Sequence, residues 1–354
     1  MEATTRTITL VPSGHTFDVA PGESILGAGI KAGRSLPYSC KTGICRGCRA
    51  RVRKGTISHG ETAIGYLSMP EREQGYALLC QASPETDCEV EVDELDDMTG
   101  IRPRVVPCRV IGMSRLAPDV MGLRLRLPMN EKMRFLAGQY VDILTADGRR
   151  RSYSIATDPG IEGVVEIELH LRHVSGGSFT DHVFTSMKMR DLLRFEGPLG
   201  TFHLREDSTK PIVMLASGTG MAPILAMLRY ALRKEIHRTR PITVYWGGRT
   251  RADLYLLDEL NDLAGQHEGL TFVPVLSDPT TACGWQGRVG LVHHAVMDDC
   301  KVMLADAQVY ACGAPVMVDA ARRDFVEACG LPEQAFFADS FVSEADRVRS
   351  AAAG

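Results

Sequence analysis

Apolar and polar residues alternate with period two at the start of the chain. Thr7-Ile8-Thr9-Leu10-Val11, a turn at Pro12-Ser13-Gly14, and Thr16-Phe17-Asp18-Val19 predict a β-hairpin. The run 23–30 predicts a short helix stopped near Gly33, and Cys88-Glu89-Val90-Glu91-Val92 predicts a closing strand. Alternation returns at 120–127, 140–144 and 165–171 between turns, the spacing of an antiparallel barrel. After Pro211 the rhythm changes to strand, helix, strand, helix. Strands are predicted at 212–216, 242–246, 270–276 and 308–312, with helices at 222–234 and 253–263 among them, which is the pattern of an open parallel sheet. The expected architecture is multidomain α+β and α/β: a small β-rich domain at 5–97, a linker at 98–103, an antiparallel barrel at 104–206, a parallel-sheet domain at 207–342 and a tail at 343–354.

Composition narrows the function classes. The 354 residues carry a net charge of −4, which excludes a broadly electrostatic nucleic-acid binder. No apolar run approaches the ~18–20 residues that span a bilayer. The opening Met1-Glu2-Ala3-Thr4-Thr5 lacks the basic-then-apolar layout of a signal peptide, so a cytoplasmic protein without membrane partners is expected. The ten cysteines are unevenly spread: Cys40, Cys45, Cys48 and Cys80 precede the isolated Cys88, Cys108, Cys283, Cys300, Cys312 and Cys329. Such clustering in a reduced compartment points to a metal rather than to a disulfide framework.

Cys40-Lys41-Thr42-Gly43-Ile44-Cys45-Arg46-Gly47-Cys48 has the spacing C-x4-C-x2-C, with Cys80 as the fourth candidate ligand. This is the plant-type [2Fe–2S] spacing, in which a tight loop converges three thiolates and glycines let backbone amides approach the cluster. Zinc is the competing metal, although structural zinc usually takes two close cysteine pairs. The segment resembles the ferredoxin domain of bacterial iron–sulfur flavoprotein reductases, which implies a β-grasp plant-type ferredoxin fold. It departs from that family at Arg46, where a small residue is usual. Lys31, Arg34, Lys41, Arg46, Arg49, Arg51, Arg53 and Lys54 surround the loop, and no acidic residue falls between Ser24 and Gly60. Two readings follow: a solvated rim balanced by the acidic stretch 85–97, or a basic docking face for an electron acceptor.

Arg150-Arg151-Ser152-Tyr153-Ser154-Ile155-Ala156 places an arginine suited to a pyrophosphate, a flat aromatic surface and a hydroxyl on one strand. Gly176-Gly177-Ser178-Phe179-Thr180 opens a predicted helix whose amides can meet a phosphate. The first segment resembles the R-x-Y-S signature of the ferredoxin–NADP⁺ reductase-like superfamily. That resemblance implies flavin contacts from Arg151, Ser152, Tyr153 and Ser154. It also implies a second phosphate contact from Gly176, Gly177, Ser178 and Thr180, which favours FAD over FMN.

Ser217-Gly218-Thr219-Gly220-Met221-Ala222-Pro223 follows a buried strand and opens a helix, so Gly218, Thr219, Gly220 and Met221 can offer backbone to a dinucleotide pyrophosphate. Tyr310-Ala311-Cys312-Gly313-Ala314-Pro315 is a companion strand end. In the resembling superfamily, Cys312 and Gly313 lie beside the nicotinamide–flavin contact. Phe341, with Asp339 nearby, corresponds to the aromatic stretch that packs on the flavin; Ser154, Cys312, Asp339 and Phe341 are then the expected catalytic set. Arg249 and Arg251, after the second strand of this sheet, are placed to meet the adenosine ribose, or are solvated; the resemblance favours NADH.

The ordered set from about residue 7 to 342 is similar to reductase components of multicomponent oxygenases and to the CDP-6-deoxy-3,4-glucoseen reductases. It implies an NADH:acceptor oxidoreductase that splits a two-electron donation into single electrons through FAD and a [2Fe–2S] cluster. The expected partner is a terminal oxygenase, such as a Rieske-type enzyme or haem demethylase, or another one-electron acceptor docking near the cluster. A deoxysugar-pathway reductase is the alternative. A non-enzymatic redox or zinc sensor is a third class, and intact motifs in all three domains argue against it.

Overall fold

The computed structural model describes residues 4–95 and 101–341. It forms two compact units: the chain up to Arg102 together with the segment returning at Ala338, and Pro103–Phe337. Half of the expected 98–103 linker, residues 98–100, and the whole 343–354 tail lie outside the described residues.

The first unit contains β1 (Arg6–Val11), β2 (Thr16–Val19), α1 (Ile25–Lys31), β3 (Arg49–Lys54), β4 (Ile57–Ser58), α2 (Met69–Glu73), β5 (Tyr76–Leu78), β6 (Ser83–Pro84) and β7 (Cys88–Glu91). Its main sheet has the order β2-β1-β7-β3-β5. Within it β1 runs parallel to β7 and the other pairs are antiparallel, the mixed arrangement expected of a β-grasp. The apolar positions of the alternating hairpin, Ile8, Leu10, Phe17 and Val19, pack with Ile25 and Leu26 of α1 and with Leu78 and Val90. Ser24 starts α1 by accepting the Gly27 amide on its hydroxyl at 3.1 Å, satisfying one of the free donors of the first turn. Gly29 faces Leu36, whose Cδ1 lies 2.5 Å from where a Cβ would stand, so the helix packs closely on the chain leading to Cys40.

The second unit opens with β8 (Arg104–Ala117), β9 (Val120–Arg126), β10 (Tyr140–Leu144), β11 (Arg150–Ser154), β12 (Glu166–Arg172), α3 (Ser178–Thr185) and β13 (Leu192–Leu199). The strand order is β11-β10-β13-β8-β9-β12, all antiparallel. An antiparallel bridge between Ile155 and Leu169 joins the two ends of that order and closes the sheet into a barrel. Its interior is apolar, with Val110, Leu123, Leu125, Val141, Ile143, Ile167, Leu169 and Phe195 buried.

The rest of the chain is β14 (Ile212–Ser217), α4 (Met221–Arg233), β15 (Ile242–Gly248), α5 (Leu257–Gln266), β16 (Leu270–Leu276), β17 (Arg288–Val289), α6 (Val292–Cys300), β18 (Gln308–Gly313), α7 (Pro315–Cys329) and β19 (Phe336–Ser340). The sheet order is β17-β16-β15-β14-β18-β19, with parallel pairing from β17 through β18. The chain progresses outward in one direction from β14 through β15 and β16, then crosses to β18 on the other side. The carboxyl ends of β14 and β18 therefore form the switch point at which open α/β sheets bind ligands.

The helix expected at 253–263 begins later, at Leu257. Asp253 is consumed as a cap: its carboxylate accepts the amides of Arg249 at 3.1 Å and Thr250 at 2.9 Å and closes a separate 3₁₀ turn at Arg251–Asp253.

Candidate functional site

The loop between α1 and β3 folds its thiols inward. The amides of Cys40 and Cys45 each donate to the other's sulfur at 3.4 Å, and those of Thr42 and Gly47 donate to Cys40 Sγ and Cys45 Sγ at 3.4 Å. Cys80, just after β5, meets Cys48, and the Gly43 amide turns toward it. Hydrogen bonds from Cys45 and Cys48 hold the Cys40 and Cys80 thiols below the ordinary range, while their donors are pushed up by those bonds and by burial. Gly43 has φ +77°, which suits glycine, and a Cβ on Gly47 would stand 3.5 Å from Cys45 Sγ. Four convergent thiols ringed by amide donors fit a [2Fe–2S] cluster.

The rim of this loop differs from an open basic face. Arg46, at φ +62°, folds back so that its guanidinium meets Glu71 at 2.6 Å and the Tyr66 carbonyl at 3.3 Å. Arg49 reaches the same carboxylate at 3.1 Å and lies over the Tyr76 ring. Arg53 pairs with Glu91, Lys54 with Glu89 at 2.6 Å, and Lys31 with Glu23 at 2.6 Å. Five of the eight basic residues are thus paired with carboxylates, from β7, α2 and Glu23, so the rim is less basic than the sequence count suggests.

On β11, Arg151 and Tyr153 share one face and are half-buried. The Tyr153 ring lies 5.8 Å from that of Phe179, and burial raises its phenol above the ordinary range. Ser152 faces the other way, and its hydroxyl donates to Asp142 at 2.6 Å. Ser154 is 4% exposed, and its hydroxyl has no hydrogen-bond partner among the described residues. A buried, unused hydroxyl is a donor awaiting an acceptor, which fits a flavin. At the start of α3, Gly176 has φ +77°. Gly177 lies so close to Thr180 and the Val174 carbonyl that a Cβ would come within 2.8 and 2.9 Å of them. Thr180 spends its hydroxyl inside this turn, accepting from the Val174 amide at 3.2 Å, and the Gly177 amide donates to the Val174 carbonyl at 2.8 Å, so both shape the turn; the Ser178 amide is the group placed to face a phosphate.

At the switch point, the ends of β14 and β18 interlock. A Cβ on Gly220 would lie 2.2 Å from the Cys312 carbonyl oxygen, and one on Gly313, at φ +141°, 2.2 Å from Ser217 Oγ. The Ala314 amide donates to Ser217 Oγ at 3.0 Å and Trp246 Nε1 donates to the Gly218 carbonyl at 3.1 Å. Gly218, Thr219, Gly220 and Met221 thus form a fixed turn before α4, with Cys312 fully buried beside it. Arg249 is exposed, as is Arg251.

Two features here were missed by sequence reasoning. Arg172, at the end of β12, sets its guanidinium 3.3 Å from the position of a Gly218 Cβ. Its Nε and Nη2 are buried without a hydrogen bond, although Asp119 and Asp253 stand at 3.4 and 3.5 Å. An underused cation at a glycine turn and helix start fits a coenzyme phosphate. The basic residue shortly before Gly176-Gly177 was the available signal. The second is an aromatic cluster. Tyr255 shares a hydrogen bond of 3.1 Å with His170 Nδ1 and meets the Trp246 ring edge-on at 5.0 Å.

In the returning segment of the first unit, Asp339 is buried beside the cluster loop. Burial pushes its carboxyl up to about 7, against the pull of the Ser39 hydroxyl and with a further push from Cys40. Ser340 is buried with an unused hydroxyl, and Phe341 is half-buried.

The sequence matches a 2Fe-2S iron-sulfur cluster binding domain over residues 8–85, an oxidoreductase FAD-binding domain over 107–204 and an oxidoreductase NAD-binding domain over 214–323. Fold and site together define an oxidoreductase that uses NADH, FAD and a [2Fe–2S] cluster. The chain is 38% identical, over 95% of its length and 98% of the relative's, to a CDP-6-deoxy-L-threo-D-glycero-4-hexulose-3-dehydrase reductase of Yersinia pestis. It is 36% identical to the reductase subunit of an aromatic O-demethylase from an Amycolatopsis species, over 88% of this chain and 92% of that one. The crystal structure of an Amycolatopsis cytochrome P450 reductase superposes with a TM-score of 0.76 at 33% identity, covering 96% of this chain and 99% of that one. The chain belongs to the iron–sulfur flavoprotein reductases of the ferredoxin–NADP reductase-like superfamily. Among its described residues, no helix is long and apolar enough to cross a membrane.

Proposed function

We propose that this chain is the NADH-dependent reductase component of an oxygenase system, working in the cytoplasm and delivering electrons to a terminal oxygenase that docks near the cluster. The observation that carries this reading is the ordered presence, in stretches 5–97, 104–206 and 207–342, of one fitting site for each of three redox carriers. When bound, FAD accepts a hydride from NADH and the [2Fe–2S] cluster passes the electrons on singly.

The protein's part is binding, orientation and exclusion of water. Cys40, Cys45, Cys48 and Cys80 ligate the cluster. Arg151 and the amides at Gly176 and Ser178 would hold the two FAD phosphates, Gly177 shaping the turn between them, with Tyr153 supplying a surface for the ring and Ser154 a hydrogen bond to it. Ser152 and Thr180 support those contacts from behind, through Asp142 and Val174. Gly218, Thr219, Gly220 and Met221, with Arg172, take the NADH pyrophosphate, and Arg249 lies toward the ribose. Cys312 and Gly313 would line the floor beneath the nicotinamide, where hydride transfer requires donor and acceptor atoms ~3–3.5 Å apart. Phe341 and Asp339, expected in the same set from the resemblance, belong to the first unit, where Asp339 lies beside the cluster loop.

A second reading, supply of electrons to a dehydratase-bound sugar intermediate in deoxysugar synthesis, is favoured by the 38% identity to the Yersinia reductase. One experiment tests both. Protein purified anaerobically should hold iron, sulfide and FAD in a ratio of roughly two to two to one. Incubated with NADH, it should reduce the oxygenase encoded beside it. Reduction of a dehydratase complex instead would select the second reading, and stoichiometric zinc without sulfide would overturn both.

A further inference from the structure

We propose that Gln81 and Thr62, neither of them a ligand, are the side chains that set the redox potential of the cluster. The inference rests on the cluster reading above and deepens it.

Gln81 directly follows the fourth ligand. Its Nε2 donates to the Lys41 carbonyl at 3.0 Å and lies 3.9 Å from Cys80 Sγ. One carboxamide thus ties the cysteine loop to the separate segment that carries Cys80 and also directs a donor at that sulfur. The contact is close along its whole length, since Gln81 Cγ stands 2.9 Å from where a Gly43 Cβ would be. Gly43, at φ +77°, leaves the room that the glutamine fills.

Thr62 flanks the same glycine, with Oγ1 3.8 Å from that Cβ position. The residue is 7% exposed, and its hydroxyl finds no hydrogen-bond partner among the described residues. Its backbone is pinned on both sides: the amide donates to the His59 carbonyl at 3.3 Å and the carbonyl accepts from Arg72. A hydroxyl held this firmly and left unpaired is costly unless it serves an acceptor outside the protein. The Gly43 loop is where such an acceptor, the sulfur-rich cluster, would be held.

One-electron reduction adds a negative charge to the cluster and its four thiolates, drawing the electron that NADH supplies through the flavin. Donors aimed at sulfur stabilise the more negative form and raise the potential. Removing either donor therefore disfavours the reduced cluster, by about tenfold in the reduction equilibrium, which is 59 mV for a one-electron couple. Substitutions that keep the donor but alter the side chain's shape leave it unchanged.

Gln81→Leu, Thr62→Val and Thr62→Ser, each in the full chain and purified anaerobically, test this. Iron and sulfide content, the spectroelectrochemical potential of the cluster and the electron paramagnetic resonance spectrum of its reduced form are the readouts. The expected result is full cluster content throughout, with a lowered potential in Gln81→Leu and Thr62→Val and the parent value in Thr62→Ser. Parent potentials in Gln81→Leu and Thr62→Val overturn the proposal, as does a shift in Thr62→Ser equal to that in Thr62→Val. Loss of iron and sulfide from both donor-lacking variants also overturns it, because the side chains would then hold the loop rather than tune the cluster. Absence of sulfide from the unsubstituted protein would strike the cluster reading instead.

Discussion

The guanidinium of Arg46 closes on the carboxylate of Glu71 at 2.6 Å, joining the cysteine loop to the start of α2. Glu71 also accepts the Ser68 amide at 3.0 Å, so one carboxylate serves both as helix cap and as anchor for a loop residue in a left-handed conformation. Burial pushes the Glu71 carboxyl up, but Arg46 and Ser68 outweigh it and hold it down at about 2, from an ordinary 4.5.

That shift has a sign. A carboxyl lowered in the folded state contributes stability above its unfolded value and loses it as the pH falls from about 4.5 to about 2. Discounted for partial exposure, the contribution is ~1–2 kcal/mol. Glu71→Gln should lower the melting temperature of the cluster-bearing unit at pH 7 and remove this part of its acid lability. Melting curves and cluster absorbance between pH 6 and 3 check both.

Arg46→Gly should be close to neutral for stability, because relief of the left-handed arginine, ~1 kcal/mol, offsets the lost ion pair. Since the charge of Arg46 is already matched by Glu71, the salt dependence of partner reduction should stay the same. Stopped-flow rates across ionic strength measure it, and a marked fall in salt dependence would count against the pairing.

Cys80→Ser should remove the cluster's visible absorption and partner reduction, while NADH still reduces the flavin at the parent rate. The hydride step needs none of the four cluster ligands in this reading. Rapid-scan absorbance separates the two events.

Arg151→Ala should weaken FAD retention by roughly ten- to a hundredfold, the ~1.5–3 kcal/mol of a charge-assisted hydrogen bond. Ser154→Ala should keep FAD and slow its reduction. Equilibrium dialysis and single-turnover kinetics distinguish these outcomes.

Arg172→Ala should raise the KM for NADH about tenfold with little change in kcat, as expected for a contact equally strong in the ground and transition states. FAD content should not change, and steady-state kinetics on the FAD-loaded protein provide the check.

The convergence of the four thiols was legible in the sequence because the spacing is local and chemically restrictive: few other uses demand Cys40, Cys45 and Cys48 in one tight loop with glycines between them. The strand ends bearing Gly218 and Gly313 were legible for a similar reason, since each follows a buried apolar run. Arg46 was not, because its partner lies 25 residues away in another element, and separation along the chain says nothing about which carboxylate folds back. Arg53 and Lys54 were ambiguous for the same reason until β3 paired with β7 and brought Glu91 and Glu89 alongside. The start of α5 was misplaced because Asp253, a good first-turn residue by type, is committed to capping the turn before it.

The interlock of Gly220 with Cys312, and of Gly313 with Ser217, makes the glycine turn before α4 and the end of β18 a single mechanical part. Neither can be reshaped without displacing the other, so redesign of coenzyme preference has no freedom at this junction. On the proposed placement of the coenzyme it must act instead at Arg249 and Arg251, which stand exposed.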